Sequence, residues 1–129
     1  MGCGRTSNPT SFLRWASACI TWRCTRRTRT SCYQQNHCGV YRTENAGDDW
    51  IDISDGLPSR FGFPFAVLPH DGDTVYVCPA ESDQYRLTPD GALRIYRSRN
   101  RGDSWELLTQ GLPQEHAYQL VLRHAMATD

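Results

Sequence analysis

The chain has 129 residues and no net formal charge, and 39% of its residues are hydrophobic. This length suits one small domain. No apolar run approaches the roughly 20 residues of a membrane helix, so we predict no membrane span. No signal peptide is visible, which leaves the compartment unknown, with the cytoplasm as the default.

Positive charge is concentrated at the start of the chain. Residues 1–32 carry six arginines and no acid, whereas residues 33–129 carry the other eight arginines and all fourteen acids; lysine is absent. A basic arm of this kind can bind nucleic acid. Residues 19–32 instead alternate Thr, Arg and Cys like a GC-rich gene read out of frame. Shifted by one base, their codons permit MALHPTDPDVLY, which parallels FAVLPHDGDTVY at 65–76.

We therefore infer a single-base slip near codon 32; a genuine disordered basic tail is the alternative. Residues 1–32 are expected to be an irregular basic segment, and no nucleic-acid partner is predicted. Under this interpretation four cysteines are incidental, namely Cys3, Cys19, Cys24 and Cys32. The remaining two, Cys38 and Cys78, define no disulfide framework.

Residues 33–129 have the short, β-rich segments and turn signals of an all-β fold. Phe65 begins an apolar run typical of a buried inner strand. Val75 and Val77 are expected on one face of their strand, with Tyr76 on the other. A turn is expected at 88–91. The predicted strands are 33–36, 39–43, 50–53, 65–68, 74–78, 84–87, 92–98, 104–108 and 118–123.

Two stretches within this region repeat each other. Residues 40–58 read VYRTENAGDDWIDISDGLP, and residues 95–113 read IYRSRNRGDSWELLTQGLP. They align without a gap at an offset of 55 residues, with nine of nineteen positions identical. A repeat on this scale indicates stacked supersecondary units that share a core.

Each copy predicts a strand, a tight turn and a second strand. Gly47 and Gly102 are expected to take positive φ, which glycine does without a Cβ clash. Asn side chains, with Thr or Ser at the strand end, can bond backbone N–H groups and hold the turn closed. The Trp that follows offers a large face to bury against a neighbouring unit. The predicted turn residues are Thr43, Asn45, Gly47, Trp50, Ser98, Asn100, Gly102, Ser104 and Trp105.

This pattern resembles the Asp-box, or BNR repeat, Ser/Thr-x-Asp/Asn-x-Gly-x-Ser/Thr-Trp. The second copy matches every position, whereas in the first Asp49 replaces the second hydroxyl residue. The resemblance implies a β-propeller of the sialidase-like or sortilin-like kind over residues 33–129. It also implies that the turn is structural and lies away from the substrate face.

Propellers close with about four to eight blades, so this chain is expected to be an incomplete propeller of about two antiparallel four-stranded blades. We place one complete blade at 63–110 with partial blades on either side, and expect the remaining blades to be missing. The expected function is a structural or binding scaffold whose complete form presents loops to a carbohydrate or protein partner. The alternative is a fragment of a sialidase-like glycosyl hydrolase.

No residue is assigned a catalytic, cofactor-binding or metal-binding role. The family's Phe/Tyr-Arg-Ile-Pro motif is absent, so Arg42 and Arg97 are interpreted as structural strand residues. His37 and Cys38 are weak candidates for a metal or nucleophile site, but a hydrogen-bonded His and a packed Cys are favoured because neighbouring side chains diverge on a strand. Acidic pairs are interpreted as solvated turn residues: Asp48/Asp49, Asp71/Asp73 and Glu81/Asp83.

Overall fold

The computed structural model describes residues 19–26, 30–36, 38–81, 87–118 and 126–128. Within these ranges the chain is built of β-strands, with a single short 3-10 turn at Pro89–Gly91. The strands are β1 (Cys19–Cys24), β2 (Cys32–Asn36), β3 (Gly39–Thr43), β4 (Ile51–Asp52), β5 (Phe61–Leu68), β6 (Asp71–Ala80), β7 (Ile95–Ser98) and β8 (Glu106–Leu108).

The strands form two antiparallel sheets of four, in the orders β1-β2-β3-β4 and β5-β6-β7-β8. Each strand pairs with its neighbour in sequence, so alternate connections lie at the same end of a sheet. We call the end with the β1–β2, β3–β4, β5–β6 and β7–β8 connections the turn face, and the other end the opposite face. Among the described residues, the predicted all-β class with two antiparallel sheets is confirmed.

Strand β1 lies inside the segment that was expected to be irregular. It pairs with β2 from Cys19 opposite Asn36 to Cys24 opposite Cys32. The first sheet therefore has four strands, which corrects the expectation of a partial blade before residue 63. Ile20, Thr21 and Trp22 are all residue types that favour strands, and the Thr/Arg/Cys alternation obscured that preference. Residues 1–18 lie outside the described residues, and the inferred reading-frame slip stays a hypothesis.

Several strand limits also differ from those predicted. Strand β4 covers only Ile51–Asp52, and Trp50 precedes it. Strand β5 starts at Phe61, because Gly62 and Pro64 are accommodated at an irregularity in its register with β6. The predicted strands at 84–87 and 118–123 lie mostly outside the described residues.

The main hydrophobic cluster joins the two sheets. The rings of Tyr33 and Phe65, one from each sheet, have centroids 5.6 Å apart. Successive residues of a strand face opposite sides of the sheet. Cys32 and Tyr41 are each next to a residue of this cluster, so they face away from it and pack with Trp50 in a second cluster. The inter-sheet cluster contains Tyr33, Val40, Ile53, Phe65, Val75, Val77 and Tyr96, with Leu57, Val67 and Trp105 packed against it.

Candidate functional site

The first repeat turn, residues 43–50, is closed by its own side chains. Thr43 Oγ1 accepts the Gly47 N–H and donates to Asn45 Oδ1, both at 2.9 Å. Asn45 Oδ1 also accepts the Asp49 N–H at 2.9 Å, while Asn45 Nδ2 donates to Asp49 Oδ2 at 2.9 Å. These side chains satisfy N–H groups that strand pairing leaves over in a tight turn.

The second repeat turn, residues 98–105, reproduces this network bond for bond. Ser98 Oγ accepts the Gly102 N–H at 2.6 Å and donates to Asn100 Oδ1 at 2.9 Å. Asn100 Oδ1 accepts the Ser104 N–H at 2.9 Å, and Asn100 Nδ2 donates to Ser104 Oγ at 2.8 Å. The two halves of the repeat therefore share geometry as well as sequence.

The one departure from the repeat pattern, Asp49 in place of a hydroxyl residue, has a physical reason. Each turn uses Asn at its centre, and the second amide donor of that Asn needs an acceptor. Asp49 supplies a carboxylate oxygen in the first turn, where Ser104 supplies a hydroxyl oxygen in the second. A carboxylate can therefore replace the hydroxyl residue as long as its partner is Asn.

The backbone of both turns passes through the left-handed region. Gly47 and Gly102 have φ of 98° and 90°, while the residues before them, Ala46 and Arg101, have φ of 61° and 62°. Two successive positive φ values are costly for ordinary residues. The side-chain hydrogen bonds offset this cost in both turns.

The second repeat turn also forms part of the contact between the sheets. The indole Nε1–H of Trp105 donates to the Ile53 carbonyl oxygen at 2.8 Å. Gly102 lies so close to Ile53 that a Cβ on the glycine would overlap its side chain. Trp105 therefore packs against the neighbouring unit, and the approach of the two sheets depends on the missing side chain at position 102.

Ion pairs cross between the sheets at the same place. Arg101 reaches Asp73 through Nε and Glu44 through Nη1, each at 2.7 Å. Arg42 donates to the Arg101 carbonyl oxygen at 2.8 Å and pairs with Asp103 at 3.0 Å. Hydrogen bonds from Arg101, first to Asp73 and then to Glu44, raise the pKa of its guanidinium. The equivalent residue of the first turn is Ala46, which lacks such a group.

A groove lies on the turn face, beside this network. It has a volume of about 350 Å³ and is bounded by the β1–β2 connection, the β5–β6 connection and Arg101. Tyr33 lines the groove, and its hydroxyl donates to the Gly72 carbonyl oxygen at 2.8 Å. Burial raises the pKa of Tyr33 to about 12. The lining residues are Thr25, Arg26, Thr30, Ser31, Tyr33, Pro69, His70, Asp71, Gly72, Asp73 and Arg101.

The weak candidates from the sequence do not form a catalytic pair. His37 lies outside the described residues. Cys38 is disulfide-bonded, and a disulfide sulfur is not the thiolate that attacks a substrate or binds a metal. Asp71 holds its own turn, accepting the Asp73 N–H at 3.1 Å and the Thr74 hydroxyl at 2.7 Å.

The sequence interpretation missed a disulfide between Cys24 and Cys32, which are directly opposite on β1 and β2. Their spacing of eight residues around a polar segment suits a hairpin and could have revealed it. Cys78 is a free, buried thiol. Burial raises its pKa to about 11, so it stays protonated near neutral pH and is a weak nucleophile.

Among the described residues, no three His, Cys, Asp or Glu side chains group as metal ligands. The same part of the chain includes no helix with the length and apolar character needed to cross a bilayer.

No protein-family model and no curated protein matches the chain. The crystal structure of an ancestral GH74 enzyme is similar to it, with a TM-score of 0.60 and 13% sequence identity. The similarity covers 81% of this chain and 14% of the enzyme, so the chain spans about a seventh of its neighbour. That neighbour is a β-propeller. A similarity at 13% identity establishes the fold alone. The two sheets are therefore blades of a propeller-like fold.

Proposed function

We propose that the chain is a two-blade part of an Asp-box, or BNR-repeat, propeller that works as a scaffold for carbohydrate binding. The single observation that carries this proposal is the identical hydrogen-bond network of the two repeat turns, in which Thr43 and Ser98 play the same part. Side chains fully committed to closing a turn are not free for chemistry. The turns therefore stabilise blades, and a ligand would be bound by other residues.

The choice of carbohydrate as the ligand class is supported by the structural neighbour, a GH74 glycoside hydrolase. Fold alone does not determine function. The polar connections of this chain add support, because sugar hydroxyls require both donors and acceptors, and the loops of a blade supply both.

The same neighbour favours a second candidate, a fragment of a glycoside hydrolase. The sialidase-like kind is suggested by the Asp-box resemblance. Sialidases need arginines for the substrate carboxylate, an Asp acid/base and a Tyr–Glu pair. In this chain Arg97 pairs with Glu106 through Nη2 at 2.7 Å, and Arg42 is engaged with the second repeat turn. These two arginines act as strand and turn residues, so the catalytic groups of this candidate would come from other blades.

The test incubates the chain with soluble glucan, mannan and arabinoxylan in native affinity gels and measures reducing ends in parallel samples. Retardation by at least one polysaccharide without new reducing ends is the expected result. Release of reducing ends would contradict the scaffold, because cleavage by this chain requires catalytic groups of its own. If no polysaccharide retards the chain and none is cleaved, the carbohydrate proposal fails.

The flanking coding sequence offers an independent check. Further plain repeats in any frame would support the scaffold, whereas an arginine triad with a Tyr and a Glu would support the hydrolase. The frame upstream of codon 32 also tests the proposed slip, which predicts a strand-turn-strand pattern there.

A further inference from the structure

The walls of the groove on the turn face are held together by direct contacts. Gly72, near the start of β6, approaches Thr25 so closely that a Cβ on the glycine would overlap the threonine side chain. Tyr33 of β2 is tied to the same residue by its hydrogen bond to the Gly72 carbonyl oxygen. Arg101 is fixed by Asp73, to which it bonds with both its backbone N–H and its guanidinium. A preformed groove spares a ligand much of the ordering cost of binding.

Two side chains in the groove have hydrogen-bonding capacity to spare. Arg26 and His70 are exposed, and neither makes a hydrogen bond or ion pair with any described residue. Six other arginines of the two blades each contact a carboxylate: Arg42, Arg60, Arg94, Arg97, Arg99 and Arg101. Arg26 and His70 can thus donate to a ligand without breaking an existing contact.

The charges in the groove indicate what kind of ligand fits. The guanidiniums of Arg26 and Arg101 are balanced by the carboxylates of Asp71 and Asp73, so the lining has no net charge when His70 is neutral. The carboxylates disfavour an anion, and the guanidiniums disfavour a cation. The lining residues supply both donors and acceptors, which suits a neutral molecule rich in hydroxyl groups.

We propose that this turn-face groove binds a neutral saccharide, with Arg26 and His70 as donors and Asp73 as an acceptor to its hydroxyls. This inference rests on the proposed carbohydrate-binding function but places the ligand at an additional site. It lies on the same face as the repeat turns, which the Asp-box resemblance sets away from the substrate face. Two hydroxyl residues, Thr30 and Ser31, also line the groove.

The experiment measures binding of cellohexaose, maltohexaose and mannohexaose by titration calorimetry, with an oligogalacturonate hexamer as the anionic comparison. The groove variant is Arg26→Ala with His70→Ala, two exposed residues without described contacts. The matched control is Arg99→Ala with His116→Ala, also an exposed Arg and His, but outside the groove. Thermal unfolding of both variants checks that the fold is retained.

We expect one neutral hexasaccharide to bind, the groove variant to weaken it by at least about tenfold, and the control to leave it unchanged. Equal binding by the groove variant overturns the groove and leaves the carbohydrate scaffold standing. Binding of the anionic hexamer alone overturns the groove as a neutral site. If no saccharide binds the unmodified chain, the scaffold proposal fails together with the groove.

Discussion

The Nε1–H of Trp105 donates a hydrogen bond to the carbonyl oxygen of Ile53, which lies 52 residues earlier on the other blade. The bond is part of the apolar contact between the blades, where Ile53 is buried. It joins a side chain of one repeat to the backbone of the other. The contact between the blades is thus directional as well as hydrophobic.

Replacing Trp105 with Phe should therefore destabilise the chain by about 1–3 kcal/mol, because it removes the donor and leaves the buried Ile53 carbonyl unsatisfied. Urea unfolding followed by circular dichroism gives the free energy of unfolding. The control is Leu107→Ala, two residues along the chain at an exposed position, which should change stability by less than about 0.5 kcal/mol. Equal effects of the two substitutions would contradict the role of the indole N–H.

The residue that accepts from the Asn amide in each turn predicts that the same Asn→Asp substitution costs more stability in the first turn than in the second. Asn45→Asp places a carboxylate next to the Asp49 carboxylate and should cost about 1 kcal/mol near pH 7. Asn100→Asp is the matched control, because the Ser104 hydroxyl can donate to the new carboxylate, and its effect should stay within about 0.5 kcal/mol.

The Asn45→Asp penalty should depend on pH. Repulsion raises the folded-state pKa of the carboxyl pair, so the folded state holds a proton that the unfolded state has lost. Stability then falls as pH rises through that pKa and recovers below about pH 4, where the pair carries a shared proton. The free energy of unfolding, measured near pH 7 and below about pH 4, checks the direction of this change. A penalty that stays constant with pH would contradict the pairing of Asn45 with Asp49.

How far the sequence could predict these features depends on the range of the interactions. Every bond that closes a repeat turn lies within eight residues, so Thr43 and Asn45 were identifiable from their spacing. The apolar strand around Phe65, and the shared face of Val75 and Val77, follow from local pattern and are buried as expected. The burial of these side chains can be predicted without knowing which distant residues they contact.

Longer-range contacts were beyond such reasoning. Arg101 of the β7–β8 connection meets Glu44 of the β3–β4 connection and Asp73 of β6, and only the stacking of the two sheets brings these three residues together. The partner of Trp105 is a backbone oxygen, which carries no residue-specific signal. Strand β1 and the Cys24–Cys32 disulfide were missed because the arginine-rich composition suggested an irregular segment. The groove likewise requires the two blades to be in place.

The Arg101 ion pairs should add a modest, salt-sensitive term to stability. Arg101→Met should lower the free energy of unfolding by about 0.5–1 kcal/mol at low salt, since the arginine is half exposed. The difference should shrink as salt is added. Arg99→Met is the control, because Arg99 pairs with Glu106 within one blade at 3.6 Å. An Arg101 effect that is independent of salt would show that packing, not charge, is lost.

At alkaline pH, two tyrosines should ionise late. Burial raises the pKa of both Tyr33 and Tyr41 to about 12, whereas an exposed tyrosine titrates near about 10. The stabilisation is complete below about pH 10 and is lost as pH rises toward 12, because the unfolded chain gives up these protons first.

Ultraviolet absorbance of tyrosinate, recorded alongside circular dichroism, follows both processes. Tyr33→Phe should remove one late-ionising group and reduce the alkaline loss of stability. The control is Tyr118→Phe, since Tyr118 is exposed. If both variants change the alkaline transition equally, the assignment of the late step to buried tyrosine is wrong.

The absence of a side chain at Gly102 affects more than the packing around that residue. Ile53 occupies the volume that a side chain on Gly102 would need, so the second repeat turn lies directly against the residue that follows β4 of the first blade. A larger residue at position 102 would push this turn away from Ile53 and tilt one blade against the other. One hydrogen atom thus helps to fix the angle between neighbouring blades, and small errors in that angle would accumulate around any larger array of them.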